Sequence, residues 1–343
     1  MANESAVAPR AGFCLAATAT ALALCVVMLG AFTRLVDAGL GCPDWPVCYG
    51  HLLWPMAAEE IASANAAFPD TPVDSAKTWP EQVHRIFASS LGLFCIALVA
   101  TAVRQRRRGI AAPLRLPLLL LALVILQGLF GMWTVTLKLW PQVVTAHLLG
   151  GFATLALLFL LSLRLRGQRW RVEGALLPAL MAIKPLLWLA LLLLLGQVFL
   201  GGWTSSNYAA LACPDFPMCQ ARWLPEMDFS GGFDFSQAIG PNYLGGVLDS
   251  AARTAIHFGH RLGAIAVTAA LLLLIWRLRA LPVARRQSRL LLSLLLLQLA
   301  LGISNVLASL PLAVAVAHNI VAALLLLALV ATTHRVYTAE TAA

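Results

Sequence analysis

Residues 28–48 read MLGAFTRLVDAGLGCPDWPVC, and residues 199–219 read FLGGWTSSNYAALACPDFPMC. The two stretches align without a gap at an offset of 171 residues. Each starts in an apolar run and ends in the same Cys-Pro-Asp-aromatic-Pro-x-Cys phrase. The offset recurs downstream. LQGLFGMWTV (126–135) matches LQLALGISNV (297–306), and TAHLLGG (145–151) matches VAHNIVA (316–322). His84-Arg85 and His260-Arg261 match at 176, so the second copy carries five extra residues ahead of that pair. Self-similarity at a fixed period marks an internal duplication. The predicted halves are 1–170 and 185–343, joined by a linker at 171–184.

Of the 343 residues, 60% are hydrophobic and only 11% are charged. A soluble chain is nearer half apolar and a quarter charged. The excess falls in blocks such as Leu118–Leu126, Leu186–Leu195 and Leu290–Leu301. Each lies in a charge-poor stretch of roughly 20 residues, enough for a helix to cross a bilayer. Eight spans are predicted, near 12–33, 83–103, 117–137, 143–163, 185–205, 254–276, 290–310 and 315–333. The first is too long for a signal peptide and meets no small-residue cleavage site before the cysteine phrase. An even number of spans per half keeps the halves in one orientation. The fold class is thus an all-α integral membrane protein of eight transmembrane helices, built as two tandem, same-orientation four-helix bundles.

The net charge is +9. Its placement excludes nucleic acid as the partner. With the N-terminus on the cytoplasmic side, seventeen of the 24 Lys and Arg residues fall on that side, for example Arg104, Arg106–Arg108, Arg164, Arg166, Arg285, Arg286 and Arg335. That asymmetry is the positive-inside signature. It predicts both termini in the cytoplasm, basic loops against anionic lipid, and both cysteine phrases on the outer side.

Seven histidines are present. His51 is in an outer loop and His334 ends the last span. His84, His147, His260 and His318 each enter an even-numbered span near its outer end, at a predicted depth of one or two turns. An ionisable group there is costly unless paired or used. Two on alternate helices, repeated in the other half, fit axial ligation of haem iron in a four-helix slot. One haem per half follows, ligated by His84 with His147 and by His260 with His318. No carboxylate or cysteine cluster at metal-ligand spacing favours zinc or copper. The halves differ in the ionisable residue before that histidine: Glu81 precedes His84 by three residues, and His257 precedes His260 by the same distance. Three residues along a helix is one face. Glu81 is either a functional acid or a helix-start carboxylate favoured by the dipole. Arg85 and Arg261 either pair with haem propionates or anchor their spans at the interface.

The repeated Cys-x5-Cys loops, the Glu-x-x-His-Arg opening and the paired histidines together resemble the haem A synthase family. The resemblance runs from about 12 to 335. It implies oxidation of the C8 methyl of haem O to a formyl group, by stepwise hydroxylation and loss of water, to supply haem A to cytochrome oxidase. It implies that the N-terminal half takes haem O as substrate between His84 and His147. The C-terminal half holds a haem b cofactor on His260 and His318. Glu81 matches the family's important acid. Haem O synthase and oxidase assembly factors are the implied partners, and homo-oligomerisation is left open. The implied location is a bacterial inner membrane.

Cys14, Cys25 and Cys95 fall within spans as small apolar residues. The pairs Cys42–Cys48 and Cys213–Cys219 fall on the oxidising outer side, where each can persist as a disulfide. Three uses stay open for them: a staple over each haem, thiol–disulfide exchange, or metal binding. The stretch 49–80 is predicted to form a cap with helix around Ala57–Ala67. Two other functions compete with the synthase reading: a quinol-oxidising cytochrome b that only transfers electrons, and a non-catalytic haem carrier. A membrane thiol oxidoreductase ranks below both because it leaves the paired histidines unexplained.

Overall fold

The computed structural model describes residues 8–341. The outermost ends of the predicted halves, 1–7 and 342–343, lie outside the described residues. The fold is almost entirely helical, with eight helices long and apolar enough to cross a membrane. These are α1 (Phe13–Leu35), α3 (Ser75–Arg107), α4 (Arg115–Thr136), α5 (Pro141–Arg166), α7 (Lys184–Ser206), α9 (Ser250–Arg279), α10 (Arg285–Leu307) and α11 (Leu312–Tyr337). Three short helices lie between them: α2 (Ala58–Ala67), α6 (Leu177–Met181) and α8 (Phe229–Gly232). The strands β1 (Arg171–Val172) and β2 (Glu340–Thr341) pair in parallel.

Two helices start earlier than their apolar composition predicts. α3 begins at Ser75 rather than 83, because Asp74 accepts from the Ala76 amide and starts the helix inside a polar stretch. The predicted cap at 49–80 therefore ends six residues early. α9 begins at Ser250 because Asp249 accepts from Ala252. Glu81 is consequently the seventh residue of α3 and buried, not a helix-start carboxylate at an interface. His84 and His260 lie nearly three turns into their helices, because these helices start before their apolar spans. His147 and His318 lie about two turns in.

The four odd-numbered spans end alike. Asp37, Lys138, Tyr208 and Ser309 all have positive φ. In each case the next residue's amide reaches back five residues: Ala38 to Thr33, Leu139 to Thr134, Ala209 to Thr204, and Leu310 to Asn305. This is the Schellman stop, which satisfies a terminal carbonyl by a left-handed residue. The repeating unit is therefore a two-helix hairpin, present four times. Their first helices lie 101 residues apart within a half and 171 apart between halves.

Packing follows the same repeat. α1 packs on α3 and α5, and α4 packs on both as well. α7 packs on α9 and α11, and α10 packs on both. Between the halves α5 meets α7, α1 meets α11, and α5 meets α11. This pattern is unchanged when the halves are exchanged. Residues 171 apart also touch directly. Arg34 donates to the Ser205 carbonyl at 2.5 Å and stacks over Tyr208, whose hydroxyl donates to Asp37 at 2.7 Å. At the opposite end Arg169 pairs with Glu340. The largely Leu and Ala interior runs along the α1, α3, α5, α7, α9 and α11 contacts.

Both cysteine phrases close on themselves. Cys42–Cys48 and Cys213–Cys219 are disulfides, and Trp45-Pro46 and Phe216-Pro217 are cis. The aspartate inside each loop carries its turn. Asp44 accepts from the amides of Tyr49 (2.6 Å) and Gly50 (2.7 Å). Asp215 accepts from Gln220 (2.6 Å) and Ala221 (2.8 Å). Partial desolvation of Asp215 raises its pKa, but these amides outweigh it and hold the carboxyl below its usual value. Asp44→Ala leaves the Tyr49 and Gly50 amides without their acceptor and costs about 1–3 kcal/mol. Hydrogen exchange should show the loss confined to 42–52, and protection unchanged there would refute this account.

The caps differ. In the first, α2 and Phe68 pack on Tyr49, whose hydroxyl donates to the Thr71 carbonyl. The second crosses to the other half: Trp140 donates to the Gln237 carbonyl, and the Tyr243 amide donates to the Lys138 carbonyl.

Candidate functional site

The site begins with α3. Glu81, His84 and Arg85 lie on one side of it, three and four residues apart. Glu81 is 4% exposed. Its Oε1 accepts from Arg85 at 2.5 Å and its Oε2 from the Cys42 amide at 3.0 Å. Arg85 also donates to the Asp44 and Val47 carbonyls, at 2.8 and 2.7 Å. The acid is thus tied to the disulfide loop at two points. α9 repeats the arrangement with different chemistry. The Cys213 amide donates to His257 Nδ1 at 3.3 Å. Arg261 donates to the carbonyls of Cys213, Asp215 and Met218. Both arginines grip cysteine loops, a role that neither sequence expectation for them included.

Below Glu81, the rings of His84 and His147 face each other with centres 6.3 Å apart and planes at 90°. Ring centres at this distance would leave room for one metal ion held by a nitrogen of each ring. The Nδ1 atoms of His84, His147 and His318 are buried and without a partner among the described residues. Helix packing alone leaves such atoms costly. Gln197 Nε2 lies 3.1 Å from His260 Nδ1, and Gln298 Nε2 lies 3.2 Å from His318 Nε2. Gln127, the first-half counterpart of Gln298, has neither its oxygen nor its nitrogen partnered.

Four glycines make these rings fit. A Cβ on Gly30 would sit 2.9 Å from His84 Cε1, and one on Gly302 would sit 3.1 Å from His318 Cε1. On Gly201 it would be 3.3 Å from His260 Cε1, and on Gly131 3.7 Å from His147 Cε1. Each histidine is thus seated in a notch on the preceding span. Sequence reasoning missed these glycines and the glutamines four residues before three of them. The signal was present: Gly30 to Gly131 and Gly201 to Gly302 both span 101 residues. Alanine substitution should weaken haem retention in the order Gly30, Gly302, Gly201, Gly131. Gly128→Ala, which meets nothing within 4 Å, should leave it unchanged. Haem-to-protein ratio on purification tests the ranking, and an equal loss at Gly128 would refute it.

In the first half the paired imidazoles with their open Nδ1 atoms fit a haem, and in the second half two glutamines hold the corresponding imidazoles. A family model described as cytochrome oxidase assembly protein matches residues 14–330. The chain belongs to that family. Within the cytochrome oxidase assembly family it is similar to proteins named heme A synthase. That of Shewanella oneidensis is 46% identical over 307 residues, covering 90% of this chain and 91% of the relative. Those of Sphingopyxis alaskensis and Erythrobacter litoralis are 31% and 29% identical and cover 97% and 93% of this chain, 94% and 95% of their own. The family match takes in both histidine pairs, Glu81, His257 and both cysteine loops.

Proposed function

We propose that this protein is a haem A synthase, an oxidoreductase that converts the C8 methyl of haem O to a formyl group. The observation that carries this is the His84–His147 pair beneath a buried acid, repeated beneath a neutral imidazole in the other half. The similarity to named heme A synthases over nine-tenths of the chain supports it. His84 and His147 bracket the substrate haem. His260 and His318 hold a haem b, which supplies one-electron chemistry when bound. Glu81 holds its carboxylate one turn from His84 and accepts a proton released as the methyl is oxidised. Arg85 and the Cys42 amide fix where that carboxylate points. His257 fills the equivalent position as a neutral acceptor for Cys213, which suits a site that transfers electrons only.

We infer two tandem bundles of one orientation. Contacts between residues 171 apart occur at both ends of the helices, at Arg34–Ser205 and at Arg169–Glu340. This supports a two-fold axis running along them. The arginine-rich end lies in the cytoplasm with both termini, and the cysteine loops lie on the outer face of a bacterial inner membrane. Haem O synthase and oxidase assembly factors are the partners this chemistry requires.

Co-expression with a haem O synthase, followed by chromatography of extracted haems, tests the function. Haem A is the expected product. Haem O accumulating unchanged beside haem b would refute the synthase and leave the electron-transferring cytochrome.

A further inference from the structure

At the arginine-rich end, the last turns of α5 and α11 meet the first turn of α10 around a cavity of about 260 Å³. Arg166 and Gln168 reach it from the α5 side, Arg286 and Gln287 from α10, and Arg335 from α11. Leu290 extends its wall one turn along α10. The cavity sits on the seam between the halves, since Arg166 belongs to the first and the α10 residues to the second. Three guanidinium groups from three helices converge there, and no carboxylate is among the lining residues.

Two independent features point to an anion. The first is the start of α10. Ala284 offers no side-chain cap, and no acidic residue lies in the first turn. Arg285, Arg286 and Arg289 instead add positive charge where the helix dipole is already positive. Such a terminus favours negative charge beside it. The second is Gln287. It lines the cavity, is only 8% exposed, and its Oε1 has no partner among the described residues. A buried amide oxygen requires a donor such as a hydroxyl, and turned over, its NH2 serves a phosphate oxygen.

We propose that this cavity binds the headgroup of an anionic glycerophospholipid. Arg166 and Arg286 hold the phosphodiester from opposite halves, and Gln287 takes a headgroup hydroxyl. Leu290 continues the wall along α10. The lipid adds a clamp between the two halves at the end where the Arg169–Glu340 pair and the β1–β2 pairing already join them. Phosphatidylglycerol has both the phosphodiester and the hydroxyls this set requires. Inorganic phosphate shares the charge but not the glycerol hydroxyls or the chains.

Native mass spectrometry of the full-length protein in detergent tests this with phosphatidylglycerol, phosphatidylcholine and inorganic phosphate as probes. Wild-type protein should retain phosphatidylglycerol in preference to phosphatidylcholine. Arg166→Gln with Arg286→Gln should weaken that retention by about tenfold or more. Arg166→Lys with Arg286→Lys should restore most of it, which separates lost binding from misfolding. Arg106→Gln, on the same belt but outside the cavity, should change nothing. Equal retention of the two lipids, or undiminished retention by the double Gln variant, would overturn the proposal. Displacement of phosphatidylglycerol by inorganic phosphate at similar concentration would reassign the site to the free anion and overturn the lipid reading.

Discussion

Glu81→His abolishes conversion of haem O to haem A, a fall of at least about a hundredfold, while both haems remain bound. The choice of histidine follows from the second half of the molecule. There, His257 already serves as the acceptor for the Cys213 amide. An imidazole at 81 can serve the Cys42 amide in the same way, so the disulfide loop keeps its anchor. Arg85 loses a carboxylate partner but keeps the Asp44 and Val47 carbonyls. Arg261 lives with the same arrangement. What disappears is the carboxylate alone. Glu81→Gln is a less clean test, because its amide nitrogen must face either Arg85 or the Cys42 N–H, both donors. Glu81→Ala is worse, since it leaves the part-buried Arg85 uncompensated, at a cost of roughly 3–5 kcal/mol. Chromatography of extracted haems and the optical spectrum of the purified protein read the two effects separately. Haem A formed at the wild-type rate by Glu81→His would remove Glu81 from the chemistry.

His318→Ala removes the haem of the C-terminal half and with it the reducible low-spin absorption of a bis-imidazole site. The reasoning is geometric. Gly302 shapes a notch for this ring, and its Nδ1 is buried without a partner among the described residues. Truncation leaves His260 as the single remaining ligand on its side of the bundle. His147→Ala should instead spare that absorption and stop turnover, because it alters only the substrate half. Haem content by the pyridine assay, with reduced-minus-oxidised spectra, distinguishes the two variants. External imidazole should partly restore the His318→Ala spectrum. A spectrum unchanged by His318→Ala would show that the C-terminal haem, and the electron route assigned to it, had been placed wrongly.

Much of this site is visible in one dimension. Apolar length announces the spans because a bilayer of about 30 Å demands some 20 apolar residues whatever their neighbours. The 171-residue repeat announces the duplication, and beside its paired histidines an acid, Glu81, stands against an imidazole, His257. The starts of α3 and α9 were hidden. SAKTWPEQ is polar enough to read as loop, and only the Asp74 cap shows that it is helix. That cap moves Glu81 from a surface turn to a buried one. The grip of Arg85 and Arg261 on the cysteine loops was hidden as well, because a carbonyl acceptor has no residue identity to read.

By itself the sequence determined the class of molecule, its eight spans, its two copies and the histidine pairs proposed to hold haem. Those follow from composition and spacing, which survive without coordinates. Only the tertiary structure decided that the unit is a hairpin used four times and that each histidine sits in a glycine notch. It also tied the acid to a disulfide loop and brought arginines from two halves to one cavity at the seam. Each of these depends on which helix faces which. In a helical bundle that is set by close packing between segments far apart in the chain, where a single Cβ decides whether two helices approach.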